Sequence, residues 1–129
     1  MKDETRQWLK YGEENLESAK ILRKSHLYNP CLQNVQQCVE KFLKCAIIER
    51  SFKLKRTHSI VELRNILFEN DFQVDLSDEE CEFLDSIYLP SKYPLGSALP
   101  DFEPDDELCK SALEIAQSVY SEIMNLLSK

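Results

Sequence analysis

The stretch from Asn29 to Ser51, NPCLQNVQQCVEKFLKCAIIERS, is the feature that most narrows what this chain can become. Leu32, Val35, Val39, Phe42 and Ala46 recur at three- and four-residue steps and so share one face of a helix. Asn29 is placed to cap that helix, and Pro30 suits a first helical position, where no backbone N–H is needed. Gln33, Gln37, Glu40 and Lys44 recur at helical steps on nearly the opposite face, with Lys41 beside them. They form a narrow polar stripe, and the other segments read as elements that pack around the apolar one.

The rest of the composition agrees with a helical reading. A chain of 129 residues fits one domain over residues 1–129, and 43% apolar residues is enough for a real core. Only two glycines are present, too few for the turns of an all-β chain. A net charge of −7 argues against non-specific binding to a nucleic-acid backbone, which needs clustered Lys and Arg. No apolar run reaches the roughly 20 residues that span a bilayer. The opening MKDETRQW lacks the apolar segment of a signal peptide. The expectation is a cytoplasmic protein with no membrane contact. The five cysteines fit that compartment as buried free thiols. Cys31, Cys38 and Cys45 are seven residues apart, about 10 Å between neighbours along a helix, too far for a shared zinc or an intrahelical disulfide.

Taken in order, Asp3 to about His26 reads as a first helix with Trp8, Tyr11, Asn15, Ala19 and Leu22 on its inner face. A short turn leads into the second helix, which makes the two antiparallel neighbours. The run Phe52-Lys53-Leu54-Lys55-Arg56 is the densest basic segment, either a solvated turn after a helix C-terminus or a phosphate contact. Ser59-Ile60-Val61-Glu62 and Ser77-Asp78-Glu79-Glu80 are capping boxes opening a third and a fourth helix, through about Asn70 and Leu89. Cys81, Leu84, Ile87 and Tyr88 face inward on the fourth. Residues 90–104 hold four of the five prolines and form a long connection. A last helix starts at Pro104 or Asp105 and runs to about Leu127 with Leu108, Ala112, Ile115, Val119, Ile123 and Leu126 as its stripe. The fold expected is all-α, an up-and-down bundle of about five helices.

The chain also resembles the HEPN family of small helical-bundle domains. The matching features run in family order: Trp8; Tyr28; the run Gln36-Gln37-Cys38-Val39-Glu40-Lys41-Phe42-Leu43-Lys44; Thr57-His58 followed by Leu63; Tyr88; and Lys92-Tyr93-Pro94 where the family has Arg-Tyr-Pro. The resemblance implies a helical bundle, often a homodimer, encoded beside a minimal nucleotidyltransferase with which it forms a complex or a toxin–antitoxin pair. It also implies nucleotide binding in some members. One branch consists of metal-independent ribonucleases whose site is an Arg, four to six residues, then a His. This sequence departs from that spacing: one residue separates Arg56 from His58, seven separate Arg50 from His58, and two separate Arg23 from His26. Lys53 and His58 have a four-residue gap, but lysine is a point charge where arginine is a planar fork.

These readings point to a binding module without a catalytic site. Gln37, Glu40, Lys41, Lys44, His58, Lys92 and Tyr93 are expected to engage a nucleotide, an RNA or a partner nucleotidyltransferase, with lysines on phosphate and Tyr93 on a base. The alternatives are a ribonuclease using His58 with Arg56 or Lys53, or a purely structural dimerisation protein. Two isolated glycines build no phosphate loop and no His pair has metal spacing, so neither cofactor nor metal is expected.

Overall fold

In a computed structural model, residues 1–92 and 103–128 are described, the side chains of 89–92 excepted. The described residues form five helices: α1 (Asp3–Lys24), α2 (Tyr28–Glu49), α3 (Ile60–Glu69), α4 (Asp78–Lys92) and α5 (Asp106–Leu127). The all-α bundle expected from the sequence is the fold observed.

The second helix is the axis of the molecule and packs against all four others. Its apolar face is buried as its period requires, and Cys31, Cys38, Leu43, Cys45 and Ile47 are buried as well, so apolar contact continues around most of its circumference. Helix α1 runs antiparallel to it. Lys2 bonds to Glu49 and Ile48 near one end, while Asn15 reaches Asn34 and Lys41 further along. Helix α5 lies parallel to α2: Cys109 is beside Tyr28, and Tyr120 packs on Phe42 with ring centroids 4.9 Å apart.

Several local expectations shift. Helix α2 begins at Tyr28, capped by the backbone of Leu27, so Asn29 is inside the first turn and caps nothing. The inner face of α1 is Thr5, Leu9, Gly12, Leu16 and Ala19, with Trp8, Asn15 and Leu22 on its flank and Tyr11 exposed. The cause is the close approach at Gly12, where a Cβ would sit 2.7 Å from the Phe42 ring. A hydrogen side chain lets the two helices meet there and rotates Tyr11 outward. Helix α4 runs three residues beyond Leu89 and includes Pro90.

Termini follow side-chain chemistry. Ser77 and Glu80 form a complete reciprocal capping box. Asp105 caps α5 by accepting from the N–H of Leu108 at 2.8 Å. Ser59 caps α3, but the box is not closed by Glu62. Instead the carboxylate of Asp85, from α4, accepts the N–H groups of Ile60 and Val61 and the Ser59 hydroxyl. Three helices end on left-handed non-glycine residues, His26, Ser51 and Asp71, whose N–H and that of the next residue fold back on the last turn.

Candidate functional site

Where three of these features meet, a polar cluster sits against α2. Gln36, Glu40 and Lys44 are four residues apart and line one edge of the helix, with relative exposures of 2%, 7% and 8%. The Lys44 ammonium donates to Glu40 Oε2 at 3.0 Å. His58 Nδ1 lies 3.1 Å from Glu40 Oε1 and 3.2 Å from Oε2. A carboxylate paired with an ammonium only accepts, so Nδ1 carries the proton and Nε2 is the ring nitrogen turned away from Glu40. Gln36 Nε2 reaches both Glu40 Oε1 and the His58 carbonyl at 3.4 Å.

Aromatic rings flank the charges. Lys44 Nζ stands 5.2 Å from the Trp8 ring centroid, a cation–π distance. The His58 and Tyr88 rings stack at 5.0 Å and 19°. The backbone that presents His58 is held on both sides. Thr57 Oγ1 accepts the Ser59 N–H, and Ser59 is in turn bonded to Asp85. That is the physical content of a Thr-His pair before a helix: the threonine fixes the turn and the histidine projects from it. The imidazole is more than half exposed, at 58%, so the cluster opens to solvent through His58.

The sequence-derived stripe is therefore only partly brought together. Glu40, Lys44 and His58 join. Gln37 is exposed on the flank of the cluster. Lys41 turns toward α1, where its ammonium meets Asn15 Oδ1, and burial pushes its pKa down against the opposing pull of Glu40. The free polar ridge expected along α2 is not what forms. A helix enclosed by four neighbours has no fully solvated face, so Glu40 and Lys44 are buried and neutralise each other. Lys53 and Arg56 are exposed, and neither hydrogen-bonds to His58 among the described residues. Tyr93 and the side chain of Lys92 lie outside the described residues.

Three members of the cluster are absent from the sequence-derived site. Gln36 has a legible signal, the four-residue ladder 36–40–44. Trp8 and Tyr88 have none beyond their place in the family pattern, because spacing along the chain does not report a contact between α1, α4 and the loop before α3. Among the described residues no three metal-ligating side chains converge, and no helix is long and apolar enough to cross a membrane.

Comparison with known proteins places this geometry. The chain is 25% identical over 134 residues to the Methanocaldococcus jannaschii protein named "Putative toxin MJ1304", spanning 95% of this chain and 87% of that one. The crystal structure of ST0689, described as an archaeal HEPN homologue, superposes with a TM-score of 0.72 at 24% identity, covering 98% of each chain. TT1696 from Thermus thermophilus superposes at 0.65 with 22% identity, covering 96% of this chain and 98% of that one. These two structures share the fold. The HEPN domain family model matches residues 5–126, from the first turn of α1 to the last turn of α5, and the chain belongs to the HEPN family.

Proposed function

We propose that this HEPN protein is a non-catalytic binding module, acting as a homodimer, that engages a nucleotide or a partner nucleotidyltransferase through the Glu40–Lys44–His58 cluster, in the setting of a toxin–antitoxin pair. One observation carries the reading: Trp8, Gln36, Glu40, Lys44, His58 and Tyr88, scattered in sequence from α1 to α4, converge on a single cluster that opens at His58. The naming of the M. jannaschii relative as a toxin supports the setting. In this reading His58 Nε2 and Gln37 meet the ligand, while Glu40 and Lys44 orient the imidazole from beneath. Lys92 and Tyr93, on the sequence pattern alone, are proposed as further ligand contacts.

Native mass spectrometry of protein purified from its own host tests the proposal directly. A retained nucleotide or a co-purifying nucleotidyltransferase is expected, on a dimer, and His58→Ala should abolish the retention while the protein stays folded, at a somewhat lower melting temperature because Glu40 loses a donor. A monomer carrying neither, with no affinity for added ATP or short RNA, would overturn it.

One observation favours a second reading. The Glu40–His58 contact fixes the imidazole with Nε2 able to take a proton, as a general base requires. A metal-independent ribonuclease with His58 as base, and Arg56 or Lys53 on phosphate, would cleave RNA in the presence of a chelator and lose that activity in His58→Ala.

A further inference from the structure

We infer that the C-terminal end of α1 carries a second, independent ligand site for a phosphate ester with an apolar body. A cavity of about 370 Å³ opens there, between α1 and the start of α5. Lys20, Arg23, Lys24 and His26 line it, against two acids among the described residues, Glu17 and Asp106, in a chain of net charge −7. The apolar part of the wall is Leu113 and Ile21, the latter 55% exposed.

The four basic groups are not equivalent. Arg23 is clamped on Asp106 by two hydrogen bonds of 3.0 and 2.9 Å, which accounts for one cation and one acid together. Lys20 and Lys24 have no ion pair among the described residues, and both are exposed. His26 Nδ1 is 2.8 Å from the Tyr28 hydroxyl, and the rings meet edge-on at 5.9 Å. With the phenol donating to Nδ1, the imidazole presents Nε2–H outward as a donor even when neutral.

The ordinary explanation for cations at this position is the helix C-terminus, whose carbonyls carry partial negative charge. Here three of the last four carbonyls are already occupied: Ser25, His26 and Leu27 donate back to Ile21, Arg23 and Leu22. His26 sits at φ 60, the left-handed conformation that also ends the next two helices at Ser51 and Asp71. Two unpaired ammonium groups and an outward N–H donor suit a phosphate dianion, and Ile21 with Leu113 suits an apolar or aromatic group attached to it.

Amide NMR titration with phenyl phosphate, inorganic phosphate and phenol tests the site. Saturable shifts at Ile21, Lys24, His26 and Leu113 are expected with phenyl phosphate, weaker ones with inorganic phosphate, and none with phenol. Lys20→Ala/Lys24→Ala should weaken binding by about tenfold or more, the scale of losing one charge-assisted hydrogen bond. His26→Gly should raise the melting temperature yet weaken binding, whereas Asp71→Gly, a left-handed helix end remote from the cavity, should raise the melting temperature and leave binding unchanged. No saturable shift, shifts indifferent to the double substitution, or shifts confined to Trp8, Lys44 and His58 would overturn the inference. Inorganic phosphate binding as tightly as phenyl phosphate would overturn its apolar component. Because none of these variants touches the Glu40 cluster, failure here leaves the proposed function standing.

Discussion

Removing one charge of the Glu40–Lys44 pair should cost far more than an i,i+4 pair on a helix surface. Exposed pairs at that spacing contribute about 0.3–0.5 kcal/mol. Here the two side chains are 9% and 10% exposed, so a lone survivor is left largely out of water. Breaking a buried pair typically costs about 3–5 kcal/mol. Lys44→Met leaves the Glu40 carboxylate with His58 and Gln36 as donors, which places the loss near the lower end, about 3 kcal/mol. Glu40→Gln leaves the ammonium with the Trp8 face and an amide oxygen, and a similar loss of about 3 kcal/mol is expected. Once both charges are gone no ion is left buried and unpaired, and the amide introduced by Glu40→Gln still accepts from His58. The double variant should therefore lose less than either single, about 1 kcal/mol where additivity demands about 6, a coupling of about 5 kcal/mol. Urea unfolding resolves this easily: with a slope near 2 kcal/mol per M, each single substitution moves the midpoint down by about 1.5 M. Two outcomes refute the reasoning. Single losses under about 1 kcal/mol would mean that water reaches the pair, and additive losses would mean that the two charges do not depend on each other.

Other consequences are sharper in direction than in size. Gly12→Ala gains about 1 kcal/mol in helix propensity but drives a methyl into the fully buried Phe42 ring, and a net loss of about 1 kcal/mol is expected, recovered in the Gly12→Ala/Phe42→Leu double variant and read by thermal unfolding. Tyr120 donates to Glu13, which with burial raises its pKa to about 12. Its contribution is whole below the unfolded value near 10 and fades as pH rises through 12, so the stability advantage of wild type over Tyr120→Phe should vanish across that window. Burial pushes the thiols of Cys38, Cys45 and Cys109 up to about 12 and that of Cys81 to about 11, so a thiol reagent at neutral pH should label them only at the rate of unfolding. Asp71→Gly should add about 0.5–1 kcal/mol by relieving a left-handed residue, visible as a raised urea midpoint.

Local chemistry was legible in the residues because it is short-ranged. The 3.6-residue period located all five helices, and Ser59, Ser77 and Asp105 marked three starts, since a cap acts on N–H groups within three residues of itself. Where a start depends on a neighbour, the local pattern does not report it: Asn29 suits a cap but lies within α2, and the N–H groups of Ile60 and Val61 go to Asp85 from twenty-odd residues away.

What the sequence by itself determined is that α2 has an apolar face and a polar stripe, and that the chain is an all-α bundle. Only the tertiary structure decided what became of the stripe. A pattern of polarity says which side chains can be wet, not which neighbours will close over them, and a helix packed by four others has little surface left to leave open. Glu40 and Lys44 satisfy each other there, Lys41 goes to Asn15, and His58, brought in from a separate loop, becomes the group through which the cluster meets solvent.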